Sequence, residues 1–172
     1  KQYDTRAWYW GPSGSDILDE SDGRVAEQAV RYLSGSRQEP FFLGVGFHKP
    51  HLPLIAPAPW FDMYPPENIP LPEYPDNDLE DVPGSSYSLQ LHRVFTDRKR
   101  QEAIAAYYAC VFYVDDGVGR ILKALKDAGL EENTIVLLWG DHGFHMGEHH
   151  LWRKTTLYEE SARVPFIVSA PD

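Results

Sequence analysis

Apolar and polar positions along this chain fall into blocks, and the blocks set out an order of helix, strand, loop, helix, strand and strand. From Ser21 or Asp22 as N-cap, Val25, Ala29, Tyr32 and Leu33 recur at helical spacing until Gly35; this predicts a short amphipathic helix. The run Phe41-Phe42-Leu43-Gly44-Val45-Gly46-Phe47 predicts a first strand. After Thr96, the residues Ile104, Tyr107, Tyr108, Val111, Val114, Val118, Ile121, Leu122 and Leu125 mark one face of a long helix that stops at Gly129. Arg100, Asp116, Lys123 and Lys126 mark its polar face. Thr134-Ile135-Val136-Leu137-Leu138-Trp139-Gly140 predicts a second strand, and a third is expected near 164–169. Runs of large apolar residues read as strands buried on both faces, so the expected class is α/β with a predominantly parallel sheet.

Two stretches break the pattern. Residues 1–20 mix Trp8, Tyr9 and Trp10 with Gly11, Pro12 and Gly14, which predicts an irregular entry segment. Residues 50–89 hold most of the prolines, show neither a strand nor a helix period, and read as one long excursion loop. Trp60, Phe61, Met63, Tyr64 and Tyr74 suggest that this loop packs on a body and shapes a pocket rim.

A length of 172 residues suits one domain. The ends look cut, with no initiating Met and a stop just after the third strand. A formal charge of −10 argues against nucleic acid, which needs clustered Lys and Arg. Residues 142–154 nevertheless carry four His, one Arg and one Lys against one Glu, so the local field suits a small anion. The single cysteine, Cys110, lies in a helical apolar pattern and excludes a disulfide within the chain. No run is long and apolar enough to span a bilayer.

Chemistry is expected at strand ends, because ligands of open α/β sheets bind outside the carboxyl ends of their strands. Asp141-His142-Gly143 follows one apolar run and His48-Lys49-Pro50-His51 follows another. If the two strands lie parallel in one sheet, His48 and Asp141 converge at one edge. Asp141 and His142 offer one oxygen and one imidazole ligand, too few alone for calcium. The cluster of His142, His145, His149 and His150 also permits zinc, although Gly143 and Gly147 interrupt it and no helical zinc motif is present. Lys154 can neutralise an oxygen of a sulfate or phosphate ester. His48 can protonate a leaving group near neutral pH, whereas His51, with prolines close by, reads as loop structure.

Taken in order, His48-Lys49-Pro50-His51, Tyr107-Tyr108-Ala109 through Asp115 and Gly119-Arg120, Gly140-Asp141-His142-Gly143, Gly147-Glu148-His149, Trp152-Arg153-Lys154 and Arg163-Val164-Pro165-Phe166 resemble the type I sulfatases, closest to the iduronate-2-sulfatase-like branch. The resemblance runs from about Asp22 to Pro171 and implies an alkaline-phosphatase-like fold, present here as a partial domain. It further implies hydrolysis of sulfate esters with a calcium ion and a formylglycine made from Cys or Ser in a Cys/Ser-x-Pro-Ser-Arg motif. By matching position, Asp141 and His142 look like calcium ligands, Lys154 like the lysine that contacts the sulfate, and His48 like the histidine near the bridging oxygen.

One departure matters: the chain contains no Cys/Ser-x-Pro-Ser-Arg stretch. Cys110 is followed by Val111-Phe112-Tyr113, and Ser34-Gly35-Ser36-Arg37 lacks the proline. The paired-aspartate motif that completes the family's metal shell is missing as well. The expectation is therefore the central part of a sulfatase catalytic domain over 1–172, inactive alone, whose nucleophile segment lies elsewhere. The expected partners are the remainder of that polypeptide and a sulfated carbohydrate or other small sulfate ester, in an exported compartment. A phosphodiester or phosphonate hydrolase of the same superfamily, or a non-catalytic glycan-binding relative, is the alternative.

Overall fold

The computed structural model describes residues 8–14, 16–36, 39–86 and 95–171. They form two compact units: one holds the described residues within 8–65, residues 105–134 and Pro171, and the other the described residues within 66–104 and residues 135–170. Arg37, residues 1–7 of the entry segment and residues 87–89 of the excursion lie outside the described residues.

In the first unit, strand β1 (Trp10–Ser13) pairs in parallel with β2 (Leu54–Pro57), Trp10 facing Leu54. Helix α1 (Ser21–Ser34) buries Ala29 and Leu33 as predicted and Ala26 beside them, while Tyr32 of the predicted face is 44% exposed. A short helix α2 (Ala58–Asp62) follows β2 directly. The excursion is thus more regular than its sequence suggests. Its proline content hides the period, because prolines can occupy a strand end and the first turn of a helix. The aromatic residues do pack as expected, Trp60 on Phe112 at 5.5 Å and Tyr64 on Tyr108 at 5.5 Å between centroids.

Helix α3 (Asp97–Asp127) matches its predicted span. It ends in a Schellman turn, with Leu130 N–H donating to the Leu125 carbonyl, Gly129 N–H to that of Lys126, and Gly129 at φ +67°. Its buried face includes Ile104 and Leu125, as expected, but otherwise departs from the expected one. Ala106, Ala109, Cys110, Tyr113, Gly117 and Ala124 are buried, while Tyr108, Val111 and Leu122 are exposed. Small side chains make this seam because they let neighbours approach closely: a Cβ on Gly117 would stand 3.1 Å from the Phe47 ring.

Residues 41–47, expected to be the first strand, form no ladder among the described residues. Their burial still alternates, with Phe41, Leu43, Val45 and Phe47 half-buried and Phe42 94% exposed. That is the period of an extended chain with one covered face.

In the second unit, β3 (Val136–Trp139) pairs antiparallel with β6 (Phe166–Ser169). A two-stranded hairpin joins β4 (His145–Met146) to β5 (Trp152–Arg153), and α4 (Glu159–Ala162) precedes β6. The α/β class stands, but one ladder among the described residues is parallel and two are antiparallel. The parallel pairing expected to bring the two apolar runs together is not among them. The connection between β3 and β6, residues 140–165, holds the β4–β5 hairpin and the short α4 and returns the chain antiparallel. Burial on both faces is also not met: among the described residues nothing covers that side, and Trp139 is 63% and Phe166 70% exposed.

Candidate active site

The tripeptide after β3 is shaped by a close fit of backbone on backbone. Gly143 N–H donates to the Ser161 carbonyl at 2.8 Å, and a Cβ on Gly143 would stand 2.1 Å from the Glu160 carbonyl oxygen. Gly140 N–H donates to the Pro165 carbonyl at 3.2 Å. The turn at 140–143 is therefore moulded on the segment 160–165, which explains why Gly140, Gly143 and Val164-Pro165 occur together.

Held in this way, Asp141, His142 and Lys154 meet. The His142 Nδ1 lies 2.7 Å from the Gly143 carbonyl, an acceptor only, so Nδ1 carries the proton and Nε2 the lone pair. Lys154 Nζ donates to that Nε2 at 2.6 Å. Asp141 Oδ2 lies 3.4 Å from the same nitrogen, and the Asp141 side chain is 87% exposed. Asp141 Oδ1 accepts the His142 N–H at 3.0 Å, which fixes the carboxylate against its own turn.

The hairpin explains how residues twelve apart come together. His145 faces Arg153 and Met146 faces Trp152, so His142 and Lys154 flank its open end. The hairpin is strained as well as short. His149 (φ 53°), His150 (φ 57°), Arg153 (φ 76°) and Thr155 (φ 83°) are the positive-φ residues other than glycine among the described ones. Each such residue costs about 1–3 kcal/mol and persists only where its surroundings over-determine it. Those surroundings are visible: His149 Nδ1 contacts Asp78 Oδ2 at 2.7 Å, His149 stacks on Tyr158 at 4.7 Å, and His150 meets Tyr74 at 4.1 Å. Residues 74–78 of the excursion thus anchor the hairpin tip, a role that nothing in their sequence signals.

His145 is fully buried, with Nε2 at 2.8 Å from Thr156 Oγ1 and Nδ1 without a hydrogen-bond partner. Burial holds its pKa below the ordinary imidazole value, opposed by the Glu160 and Glu148 carboxylates and assisted by His149. It is a core histidine. Among the described residues no group of three or more His, Cys, Asp or Glu side chains is placed to hold a metal ion, which removes the four-histidine zinc reading.

His48 belongs to the first unit. Its backbone N–H donates to both carboxylate oxygens of Asp22, each at 3.1 Å, and its ring lies 4.8 Å from that of His51. His51 bonds Leu52 O through Nδ1 at 2.7 Å and its N–H donates to His48 O at 3.0 Å, so it serves the turn as expected. Burial pushes the Cys110 thiol up to about 12, with Asp22 adding to the rise and Lys49 opposing it. A neutral thiol inside a helix is no nucleophile.

A sequence model of the Sulfatase family matches residues 2–172. The chain belongs to the sulfatase family. It is 33% identical to a sulfatase of Formosa agariphila, across 99% of this chain and 35% of that protein. With the iduronate 2-sulfatase of Homo sapiens it shares 35% identity over 91% of its own length and 32% of the relative's. The phosphonate monoester hydrolase SpPMH from Silicibacter pomeroyi superposes with a TM-score of 0.78 at 28% identity, over 94% of this chain and 35% of that one. This sulfatase chain therefore spans about a third of the length of the relatives it matches, and its fold is the corresponding part of their alkaline-phosphatase-like α/β architecture. No described helix is long and apolar enough to cross a membrane.

Proposed function

We propose that the protein carrying this chain hydrolyses sulfate esters, with a sulfated sugar or glycan as substrate, and that Asp141, His142, Lys154 and His48 are this chain's share of the machinery. The observation that carries the reading is the meeting of Asp141, His142 and Lys154 at the open end of one hairpin. Likeness to an iduronate 2-sulfatase supports the sugar.

The donors fit part of a calcium shell. Asp141 Oδ2 and His142 Nε2, 3.4 Å apart, are near enough to serve one ion. Asp141 is open to solvent, and the His142 Nε2 lone pair, which here accepts from Lys154, would face the ion once that ammonium turns to the ester. Asp141 and His142 would hold the ion, the other ligands coming from residues outside this pair. When bound, calcium supplies positive charge that stabilises the oxygens of the transferring group. The formylglycine is different: Cys110 is buried and neutral, and no other residue of this chain lies in a motif that would supply one.

Lys154 contributes an ammonium able to donate to a non-bridging ester oxygen, where negative charge is concentrated. The role proposed for His48, resting on its matching motif, is to donate a proton to the bridging oxygen as the sulfur–oxygen bond breaks and the alcohol leaves. Export of the protein is likewise proposed on family likeness.

The test is sulfate release from an aryl sulfate and from sulfated disaccharides by the complete polypeptide, with and without chelator. The expected result is release that chelation abolishes and calcium restores. A second reading, a phosphonate or phosphodiester hydrolase, is favoured by the fit to the phosphonate monoester hydrolase. Faster turnover of a phosphonate monoester than of any sulfate ester would select it.

A further inference from the structure

Asp22 is buried, 4% exposed, in the first turn of α1, where helix-starting acids ordinarily face water. The helix begins one residue earlier, with Glu20 at the N-cap position and no side-chain cap bond, so Asp22 is not the cap its sequence position suggests. Its carboxylate turns inward. Both oxygens accept the His48 N–H at 3.1 Å, Oδ2 accepts the Lys49 N–H at 2.8 Å, and the Ser21 hydroxyl donates to Oδ1 at 3.4 Å.

A buried carboxylate is costly unless it is hydrogen-bonded or paired. Among the described residues Asp22 has no ion-pair partner within bridging distance, so backbone donors and the positive end of α1 carry its charge. The relation also runs the other way. Residues 41–48 form no ladder among the described residues, and the amides of His48 and Lys49 bond Asp22 in place of a strand. Phe47, one residue before His48, is seated over Gly117.

We infer that Asp22 is a positioning residue for His48: it fixes the backbone from which the imidazole projects and thereby sets the placement of the proposed proton donor. The inference rests on the role proposed for His48, and the test keeps the two apart. In the complete polypeptide, Asp22→Asn keeps the shape but places an amide NH2 among the N–H donors. Displacement of a reacting group by about 1 Å costs about a hundredfold in rate. The expected result is a tenfold to hundredfold fall in kcat, with KM within threefold, since the donor acts only in the transition state. In a His48→Ala background the same substitution is expected to change kcat less than twofold.

Equal losses in both backgrounds overturn the inference in favour of a purely structural carboxylate. An inactive His48→Ala beside an unimpaired Asp22→Asn overturns it alone, whereas a fully active His48→Ala overturns the reading of His48 and this inference with it. Should Asp22→Asn not fold, hydrogen exchange on the unmodified protein decides. Slow exchange of the His48 and Lys49 amides is expected, and exchange at open-loop rates overturns the inference.

Discussion

Residues 41–48 and 136–154 begin from the same kind of sequence, an apolar run that ends in a polar, histidine-bearing turn, and they become ordered by different means. The second is built on ladders: β3 pairs with β6, β4 pairs with β5, and Gly143 is locked against the Glu160 and Ser161 carbonyls. The first has no ladder among the described residues and is held by single points, Asp22 on the amides of His48 and Lys49 and Phe47 over Gly117. A strand end can thus present a side chain through a sheet or through one carboxylate. The second device leaves no trace in hydrophobic periodicity.

The largest effect expected from this comparison is complete loss. Neither region contains a nucleophile, and the single thiol is buried and neutral, so the 172 residues alone are expected to release no sulfate from any ester. Calcium-dependent turnover by the purified chain would refute this. Next comes Lys154→Ala in the complete polypeptide. Removing one charge-stabilising donor costs about 10²–10³ in kcat, and circular dichroism should show the fold intact, since Lys154 is partly exposed. A variant retaining a third of the activity would remove Lys154 from the site.

A smaller effect separates the two regions by glycine. Gly143→Ala forces a methyl against backbone and is expected to cost about 1–3 kcal/mol in urea denaturation. Gly44→Ala and Gly46→Ala meet no atom within 4 Å in this chain, and about ±0.5 kcal/mol is expected. If both variants are neutral in the chain but destabilising in the complete polypeptide, the exposed side of 41–48 is covered there by another segment.

Much of this was legible beforehand, for reasons that differ from element to element. The long helix could be read because its thirty-one residues carry period and stop signal together. Asp141, His142 and Lys154 could be chosen by motif, and the hairpin that joins them is local in sequence. β1 and β2 could not be read, since four residues containing Pro12 or Pro57 are too few to show a period. The buried face of α3 is legible only at Ile104 and Leu125, because the rest of the seam runs through small residues, Ala, Cys and Gly, that carry little hydrophobic signal. Asp22 was read as a helix start, because an inward-turned acid and a capping acid look the same in sequence.

The smallest expected effect uses the histidine inside the ladder-built region. Burial lowers the His145 pKa in the folded state, so the unfolded chain binds more protons as pH falls through the ordinary value of about 6.5. Stability then falls with pH, because its slope follows the excess of protons on the unfolded state. The contribution is fully present above about 6.5 and is lost as pH drops toward the folded-state pKa. Urea denaturation of the unmodified chain and of His145→Gln at pH 7.5 and 5.5 measures it. The variant should be weaker at both values, having lost the bond to Thr156, but its stability should decline less between them. An equal decline would mean that His145 does not carry the pH dependence of this region. The Glu148 and Glu160 carboxylates, which oppose the shift, would then be the next groups to replace.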